Sequence, residues 1–86
     1  MTRPVRHVTF YSKPGCHLCE DAEELLDALR DDYDLRVTWI DITGDLEIYE
    51  RYKYEIPVVI VEDGGTASGR IDEAALRRAL RTATAS

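Results

Sequence analysis

This sequence is poor in cysteine and histidine, in long apolar stretches and in the features of an export signal. Its 86 residues include 2 cysteines and 2 histidines, and a structural zinc site would need all of them as ligands. His7 lies at the far end of the first predicted strand from the cysteines, so we assign no metal ligands. The longest apolar stretch, from Ile56 to Val61, is far shorter than the roughly 20 apolar residues that cross a bilayer. Residues 1–5 hold no apolar core of a signal peptide.

Positive charge is also in short supply, which limits the expected partners. Acidic residues outnumber basic ones 17 to 11 and the formal net charge is −6, so nucleic acid and anionic membrane surfaces are poor partners. The chain is 44% apolar and 33% charged, which is typical of a globular protein. It has no room for a second core and contains no repeat or linker. We therefore expect a single domain over residues 1–86, and a monomer.

The two cysteines are the most informative residues of the chain. Cys16 and Cys19 are separated by His17 and Leu18, after a strand-like run and at the start of a helix-like one. A disulfide that closes so short a loop stabilises by roughly 2 kcal/mol or less, so it is a poor structural staple. Without an export signal we expect a cytoplasmic protein, in which such a pair is usually catalytic or metal-binding. A helix N-terminus favours the thiolate, so this position suits redox chemistry.

Apolar periodicity and turn residues predict seven elements in the order β-α-β-α-β-β-α. We expect strands at 7–11, 35–42, 56–61 and 66–71, and helices at 17–31, 45–54 and after residue 72. Gly64 and Gly65 should supply the positive φ angles of the hairpin turn before the last strand. Asp72 should cap the last helix, whose buried face would reach Ala83 and whose end would fray towards Ser86.

This order of elements predicts an α/β fold. A right-handed crossover makes the first two strands parallel, and the hairpin adds an antiparallel edge. The result would be a four-stranded mixed sheet with helices on both faces.

The segment Tyr11–Cys19, with the sequence Tyr-Ser-Lys-Pro-Gly-Cys-His-Leu-Cys, resembles the active site of glutaredoxins, which belong to the thioredoxin-fold superfamily. Ile56-Pro57 resembles the Val-Pro of that family, whose proline is cis and lies beside the active cysteine. Gly69 and Asp72 match the second glycine and the aspartate of its Gly-Gly-x-x-Asp element.

The likeness covers residues 6–83 and includes small bacterial glutaredoxin-like proteins that carry Pro-Gly-Cys-His-Leu-Cys. Ser68 stands where the family has the first glycine of its Gly-Gly-x-x-Asp element. Typical dithiol glutaredoxins have proline and an aromatic residue between the cysteines, where this chain has His17 and Leu18. The resemblance therefore implies the exchange chemistry and leaves the redox potential and the choice of reductant open.

What the resemblance implies is a glutaredoxin-type, thioredoxin-like fold and a thiol–disulfide oxidoreductase. Cys16 would attack a substrate disulfide, and Cys19 would resolve the mixed disulfide. Substrates would be disulfide-containing proteins or glutathione mixed disulfides. Glutathione or a thioredoxin-type reductase would be the reductant, and no cofactor would be tightly bound. The residues expected to contact substrate are Lys13, His17, Ile56, Pro57, Gly69 and Asp72.

Glutathione as a co-substrate needs cations for two carboxylates, a backbone edge for its cysteine and an acid for its amine. Lys13 and Arg51 could supply the cations, Ile56 with Pro57 the edge, and Asp72 the acid. Three of these residues also have a plainer interpretation, which the sequence leaves open. Lys13 can be a solvated loop residue, Pro57 an edge-strand proline and Asp72 a helix cap alone.

Charges of both signs lie near the first cysteine. Lys13, and His17 when protonated, favour the Cys16 thiolate, whereas Glu20 and Asp21 oppose it. Helix N–H groups contact the sulfur directly while the acids can point into solvent, so we expect a moderately lowered pKa for Cys16.

Two other functions remain open at this point. The first is a metal- or iron–sulfur-cluster-binding module that uses Cys16 and Cys19, with a cluster shared between two chains. The second is a redox-silent interaction domain that keeps only the fold. His17 could equally be an exposed helix-start residue without a catalytic role.

Overall fold

The computed structural model describes residues 3–81 and contains the predicted elements in the predicted order. In chain order they are β1 (Val5–Ser12), α1 (His17–Leu29), β2 (Asp34–Asp41), a short 3₁₀ turn (Ile42–Gly44), α2 (Leu46–Tyr52), β3 (Val58–Val61), β4 (Thr66–Ser68) and α3 (Glu73–Leu80). Among these residues no helix has both the length and the apolar character needed to span a membrane.

The strands form a mixed sheet of four in the order β2-β1-β3-β4. Strand β1 runs parallel to β2, with Ser12 opposite Asp41, and antiparallel to β3, with Tyr11 opposite Val58. Strand β4 is antiparallel to β3 at the edge. The last residues of β1 and β2 and the first residue of β3 therefore meet at one end of the sheet, which we call the Ser12 end.

Helices cover both faces of the sheet, as predicted. Val8 and Phe10 are buried in one core together with Leu26 of α1 and Leu76 of α3. Successive side chains of a strand point to opposite faces, and Tyr11 stacks on Tyr52 of α2 with ring centroids 4.2 Å apart. Helix α2 thus lies on the other face, at the Ser12 end.

Several predicted boundaries are wrong by a few residues. Helices α1 and α2 end two residues earlier than expected, and Ile42 belongs to the 3₁₀ turn instead of β2. Strand β3 begins at Val58, directly after the cis Ile56-Pro57 bond, because Pro57 has no N–H to pair in the sheet. Strand β4 ends at Ser68 because Gly69 adopts a φ of 69°, which a strand does not accommodate.

The hairpin turn forms as predicted, but the predicted positive φ angles of its two glycines are wrong. The residue with positive φ in this turn is Asp63, at 59°, and neither Gly64 nor Gly65 is in that region. Their lack of a side chain matters for packing instead. A Cβ on Gly64 would lie 2.5 Å from the carbonyl oxygen of Ala79, and one on Gly65 would lie 3.1 Å from the Ala79 Cα. The turn therefore lies directly on α3.

The last helix starts as predicted. The Asp72 carboxylate accepts a hydrogen bond from the Ala75 N–H at 2.8 Å, which makes Asp72 the N-cap of α3. Such a bond satisfies one of the free N–H groups of the first turn. The predictions for Ala83 and for fraying towards Ser86 lie outside the described residues.

Candidate active site

The first cysteine is the residue that starts helix α1. Gly15 adopts a φ of 76°, a conformation that glycine reaches at no steric cost and that turns the chain out of β1. Cys16 is the N-cap of α1, and its Sγ accepts a hydrogen bond from the Cys19 N–H at 3.2 Å. The sulfur therefore lies at the positive end of the helix, where a negative charge is stabilised.

The second cysteine lies one turn into the same helix and differs from the first in exposure. Cys16 and Cys19 are joined as a disulfide, with their Cα atoms 5.2 Å apart. Cys19 is 2% exposed and belongs to the core, whereas Cys16 is half-buried and packs against the edge of that core. An incoming group can thus reach the sulfur of Cys16 more easily than that of Cys19.

The cis Ile56-Pro57 bond lies at the same end of the sheet as the disulfide. The pairing of Tyr11 with Val58 brings Pro57 next to the end of β1, which leads into the cysteine loop. Pro57 is buried, and the Ile56 N–H donates to the Tyr52 carbonyl oxygen at 3.1 Å. One donor of the predicted backbone edge is therefore already used within the protein.

Gly69 supports the proline loop from the other side. Its N–H lies 3.1 Å from the Glu55 carbonyl oxygen and 2.9 Å from that of Pro57, and it donates to both. The positive φ of Gly69 turns the chain after β4 so that this N–H faces the loop. Gly69 is thus in place to hold the backbone on which Pro57 is presented.

The charged candidates differ in what they contact. Lys13 is exposed and makes no ion pair among residues 3–81. The His17 Nδ1 lies 3.4 Å from a carboxylate oxygen of Glu20, and both side chains are exposed, so His17 faces Glu20. The Asp72 carboxylate accepts from the Ala75 N–H, so its observed role is that of the N-cap of α3.

A pair of tyrosines at this end of the sheet was not expected from the sequence as a unit. Tyr11 and Tyr52 stack, and the Arg51 guanidinium lies 5.5 Å from the Tyr52 ring centroid. Burial, and next the hydrogen bond with Tyr52, raise the pKa of Tyr11. Tyr52 is half-buried there and packs on Tyr11. Its stacking partner in β1 is apparent only once α2 is packed against the sheet.

Metal-ligating side chains do not cluster in the part of the chain that the structure describes. Residues 3–81 contain no group of three or more histidine, cysteine, aspartate or glutamate side chains that could hold an ion. The cysteine pair offers two thiols and His17 turns towards Glu20. A cluster at this site would therefore need further ligands from outside the chain.

Comparison with known proteins gives one relative by sequence and others by structure. A Dictyostelium discoideum protein described as "Glutaredoxin-like protein YDR286C homolog" is 27% identical over 82 residues, which cover 88% of this chain and 76% of that protein. A solved structure of a Xanthomonas campestris protein (described as X. campestris XcR50) is 27% identical with a TM-score of 0.69, covering 81% of this chain and 89% of the other.

A thioredoxin mutant from Halobacterium salinarum shares the fold at 20% identity, with a TM-score of 0.66 over 87% of this chain and 71% of the other. Residues 7–81 match the family described as "Glutaredoxin-like domain (DUF836)". That match includes both cysteines, the cis-proline loop and all three helices of the described residues. The chain therefore belongs to the glutaredoxin-like domain family, within the thioredoxin-fold superfamily.

Proposed function

We propose that this protein is a thiol–disulfide oxidoreductase that reduces protein or glutathione mixed disulfides through Cys16 and Cys19. The observation that carries the proposal is the contrast between the two sulfurs. Cys16 caps the helix and is accessible, whereas Cys19 is buried one turn further on. This is the arrangement that an attacking thiolate and a resolving thiol require.

In the proposed cycle the Cys16 thiolate forms a bond to one sulfur of the substrate disulfide. The other substrate sulfur leaves as a thiolate and takes up a proton. Cys19 then gives its proton to solvent and bonds to the Cys16 sulfur, and the second substrate sulfur leaves. The substrate gains two electrons and the Cys16–Cys19 pair loses them. Glutathione or a thioredoxin-type reductase would restore the dithiol, and no tightly bound cofactor takes part.

The helix start supplies the electrostatics of the first step. A thiolate on Cys16 would keep the hydrogen bond from the Cys19 N–H at the N-terminus of α1, so its pKa should be lower than that of an ordinary thiol. Lys13 is exposed on the loop before it and adds a positive charge. A cytoplasmic location, where thiols stay reduced, is part of this proposal.

Residues at the Ser12 end of the sheet would supply the contacts to the substrate. The proposal keeps Lys13 and Arg51 as cations for a substrate carboxylate, and His17 as an exposed neighbour of the nucleophile. Ile56 retains a backbone carbonyl for a partner, although its N–H is used by Tyr52. Asp72 would act through the charge that remains on its capping carboxylate.

The test compares two variants that remove the same disulfide. Cys16→Ser and Cys19→Ser each delete one thiol, so the stability lost with the disulfide is common to both, and urea unfolding measures the further cost of a hydroxyl at the buried position of Cys19. Cys16→Ser should abolish reduction of a small disulfide. Cys19→Ser should accumulate a mixed disulfide visible by mass spectrometry, or retain a one-thiol reaction with glutathione. Full activity in Cys16→Ser, or equal trapping by both variants, would rule the assignment out.

The same material tests the two other functions. Iron and acid-labile sulfide in protein purified without oxygen would identify a cluster-binding module. A redox-silent interaction domain predicts that wild type and both serine variants reduce no disulfide at all.

A further inference from the structure

Large exposed apolar side chains lie mostly at the end of the sheet that carries the disulfide. Among the described residues, those at the Ser12 end of the sheet are Leu18, Trp39, Leu46 and Tyr54, and we call these four the apolar rim. Leu46 is 76% exposed and Tyr54 is 90% exposed, although both would be expected to avoid water. A patch of this kind beside a reactive group marks a place where a partner docks.

The topology explains why residues so far apart in sequence share this end. Helix α2 begins just after β2 ends and finishes just before β3 begins, so its flanking residues Leu46 and Tyr54 both lie at the Ser12 end. Trp39 lies in β2 directly opposite Phe10 of β1. The two rings meet edge-on with centroids 5.0 Å apart. Phe10 is fully buried while Trp39 is 49% exposed, so the core holds one side of the indole and solvent meets the other.

Negative charge surrounds the rim. Exposed acidic residues at the Ser12 end, which we call the acidic collar, are Glu20, Asp21, Asp41, Asp45, Glu47 and Glu55. Fewer cations lie there. Lys13, Arg51 and Arg70 are exposed, and Lys53 is paired with Glu50 at 2.9 Å. Acidic side chains thus outnumber basic ones around the rim, and this excess favours a cationic partner over an anionic one there.

These observations bear on which disulfides the site accepts. Glutathione carries two carboxylates against one ammonium group and has no large apolar side chain, so it cannot cover the rim and its net charge is repelled by the collar. The Ile56 N–H already donates to Tyr52 and is closed to glutathione and to polypeptides alike, so side chains must distinguish the two kinds of substrate. A polypeptide with bulky apolar side chains can cover the rim, and basic side chains on it can meet the collar.

We propose that the substrates are protein disulfides in which apolar and basic side chains flank the cysteine that Cys16 attacks. This rests on the proposed oxidoreductase function and names its substrate class. The rim supplies the contact area, and the collar steers and selects by charge. The balance of the reaction is the one given above, with the peptide disulfide reduced to two thiols and the Cys16–Cys19 dithiol oxidised.

The test measures how fast the pre-reduced protein reduces a set of disulfide-linked peptide dimers of equal length. Their cysteine is flanked by leucine with arginine, leucine with glutamate, serine with arginine or serine with glutamate, and glutathione disulfide is the comparison. Product thiols are quantified after rapid quenching. The leucine–arginine dimer should react at least about tenfold faster than the serine–glutamate dimer and glutathione disulfide, since one well-placed apolar contact alone gives a factor of that size.

A matched variant shows whether the preference for leucine peptides depends on the rim or on any exposed apolar side chain. Val5 is 47% exposed but lies at the opposite end of β1, so Val5→Ser should keep the leucine-over-serine preference. The double variant Leu46→Ser/Tyr54→Ser should lose most of it, and both side chains are exposed enough to be replaced without disturbing the core. Added salt should narrow the arginine-over-glutamate ratio and leave the leucine-over-serine ratio unchanged.

Each outcome distinguishes the two levels of the proposal. Equal rates for all peptides, or fastest reaction with glutathione disulfide, would overturn the substrate class while the oxidoreductase function stands. No reduction of any disulfide would refute the oxidoreductase function itself. A concentration-dependent dimer that Leu46→Ser/Tyr54→Ser dissociates, with no peptide preference, would assign the rim to a second copy of this chain and also overturn the substrate class.

Discussion

Replacement of Gly64 by alanine tests how the hairpin turn rests on α3. The added Cβ would lie 2.5 Å from the Ala79 carbonyl oxygen and 2.9 Å from Cγ1 of Val61. Neither neighbour can swing aside, because one is helix backbone and the other is a buried strand side chain. The same carbonyl oxygen accepts the Gly65 N–H at 2.8 Å, so a shift that relieves the clash also weakens that bond. Forced overpacking of this kind costs about 1–3 kcal/mol.

Gly44 provides the matched control for this substitution. A Cβ there has no atom within 4 Å, and its φ is not in the left-handed region. Gly44→Ala should therefore act mainly on the unfolded chain, whose entropy it reduces, and should raise the free energy of unfolding by about 0.4–1 kcal/mol. The two variants make the same chemical change, and we expect opposite signs.

The measurement is urea unfolding of the oxidised protein, followed by circular dichroism, with thermal unfolding as a second reading. In a domain of this size about 1 kcal/mol corresponds to a shift of roughly 4–8 °C in Tm. Gly64→Ala should lower the midpoint with an unchanged denaturant slope. If Gly64→Ala is as stable as the wild type, or if Gly44→Ala loses more, the packing of the turn against α3 has been misassigned.

Two further predictions concern aspartates with defined contacts. Asp72→Ala removes the cap of α3 and should cost about 1 kcal/mol in urea unfolding, whereas Asp72→Asn keeps a capping oxygen and should retain stability. If Asp72→Asn nevertheless reduces glutathione mixed disulfides more slowly, the loss is due to the missing negative charge, because this variant keeps the cap. The hydroxyl of Thr43, and next its N–H, lower the pKa of Asp41. A lowered folded-state pKa stabilises the protein near neutral pH, and this contribution is lost as the pH falls below about 4. Thr43→Val should raise the pKa of Asp41 in an NMR titration, and an unchanged titration would contradict the assignment.

Local signals in the sequence were sufficient for the element order and for the start of α1. Pro14 and Gly15 break the first strand, and the apolar stripe that follows predicts a helix at whose start both cysteines lie. Asp72 was likewise predicted as a cap from its position before an apolar run, and the bond to Ala75 confirms it. Such features depend on neighbours within one turn of helix, which the sequence displays directly.

The sequence-based predictions were wrong where the conformation of a residue depends on a contact with a distant part of the chain. Apolar pattern alone extended β4 past Ser68, because it carries no information on the turn that Gly69 makes. The two hairpin glycines looked like turn residues with positive φ, yet their constraint comes from Ala79, which lies well beyond the hairpin in the chain. Contacts of this kind appear only once the helix is packed against the sheet.

Gly69 shows how the site itself depends on such contacts. The resemblance to glutaredoxins marked it as a substrate-binding residue, and that role remains a prediction. In the structure its N–H donates to the carbonyl oxygens of Glu55 and Pro57, so it positions the proline loop whether or not substrate is bound. A side chain there would meet open space but require a strained backbone. Gly69 can therefore influence disulfide exchange through the placement of Pro57, without touching the substrate.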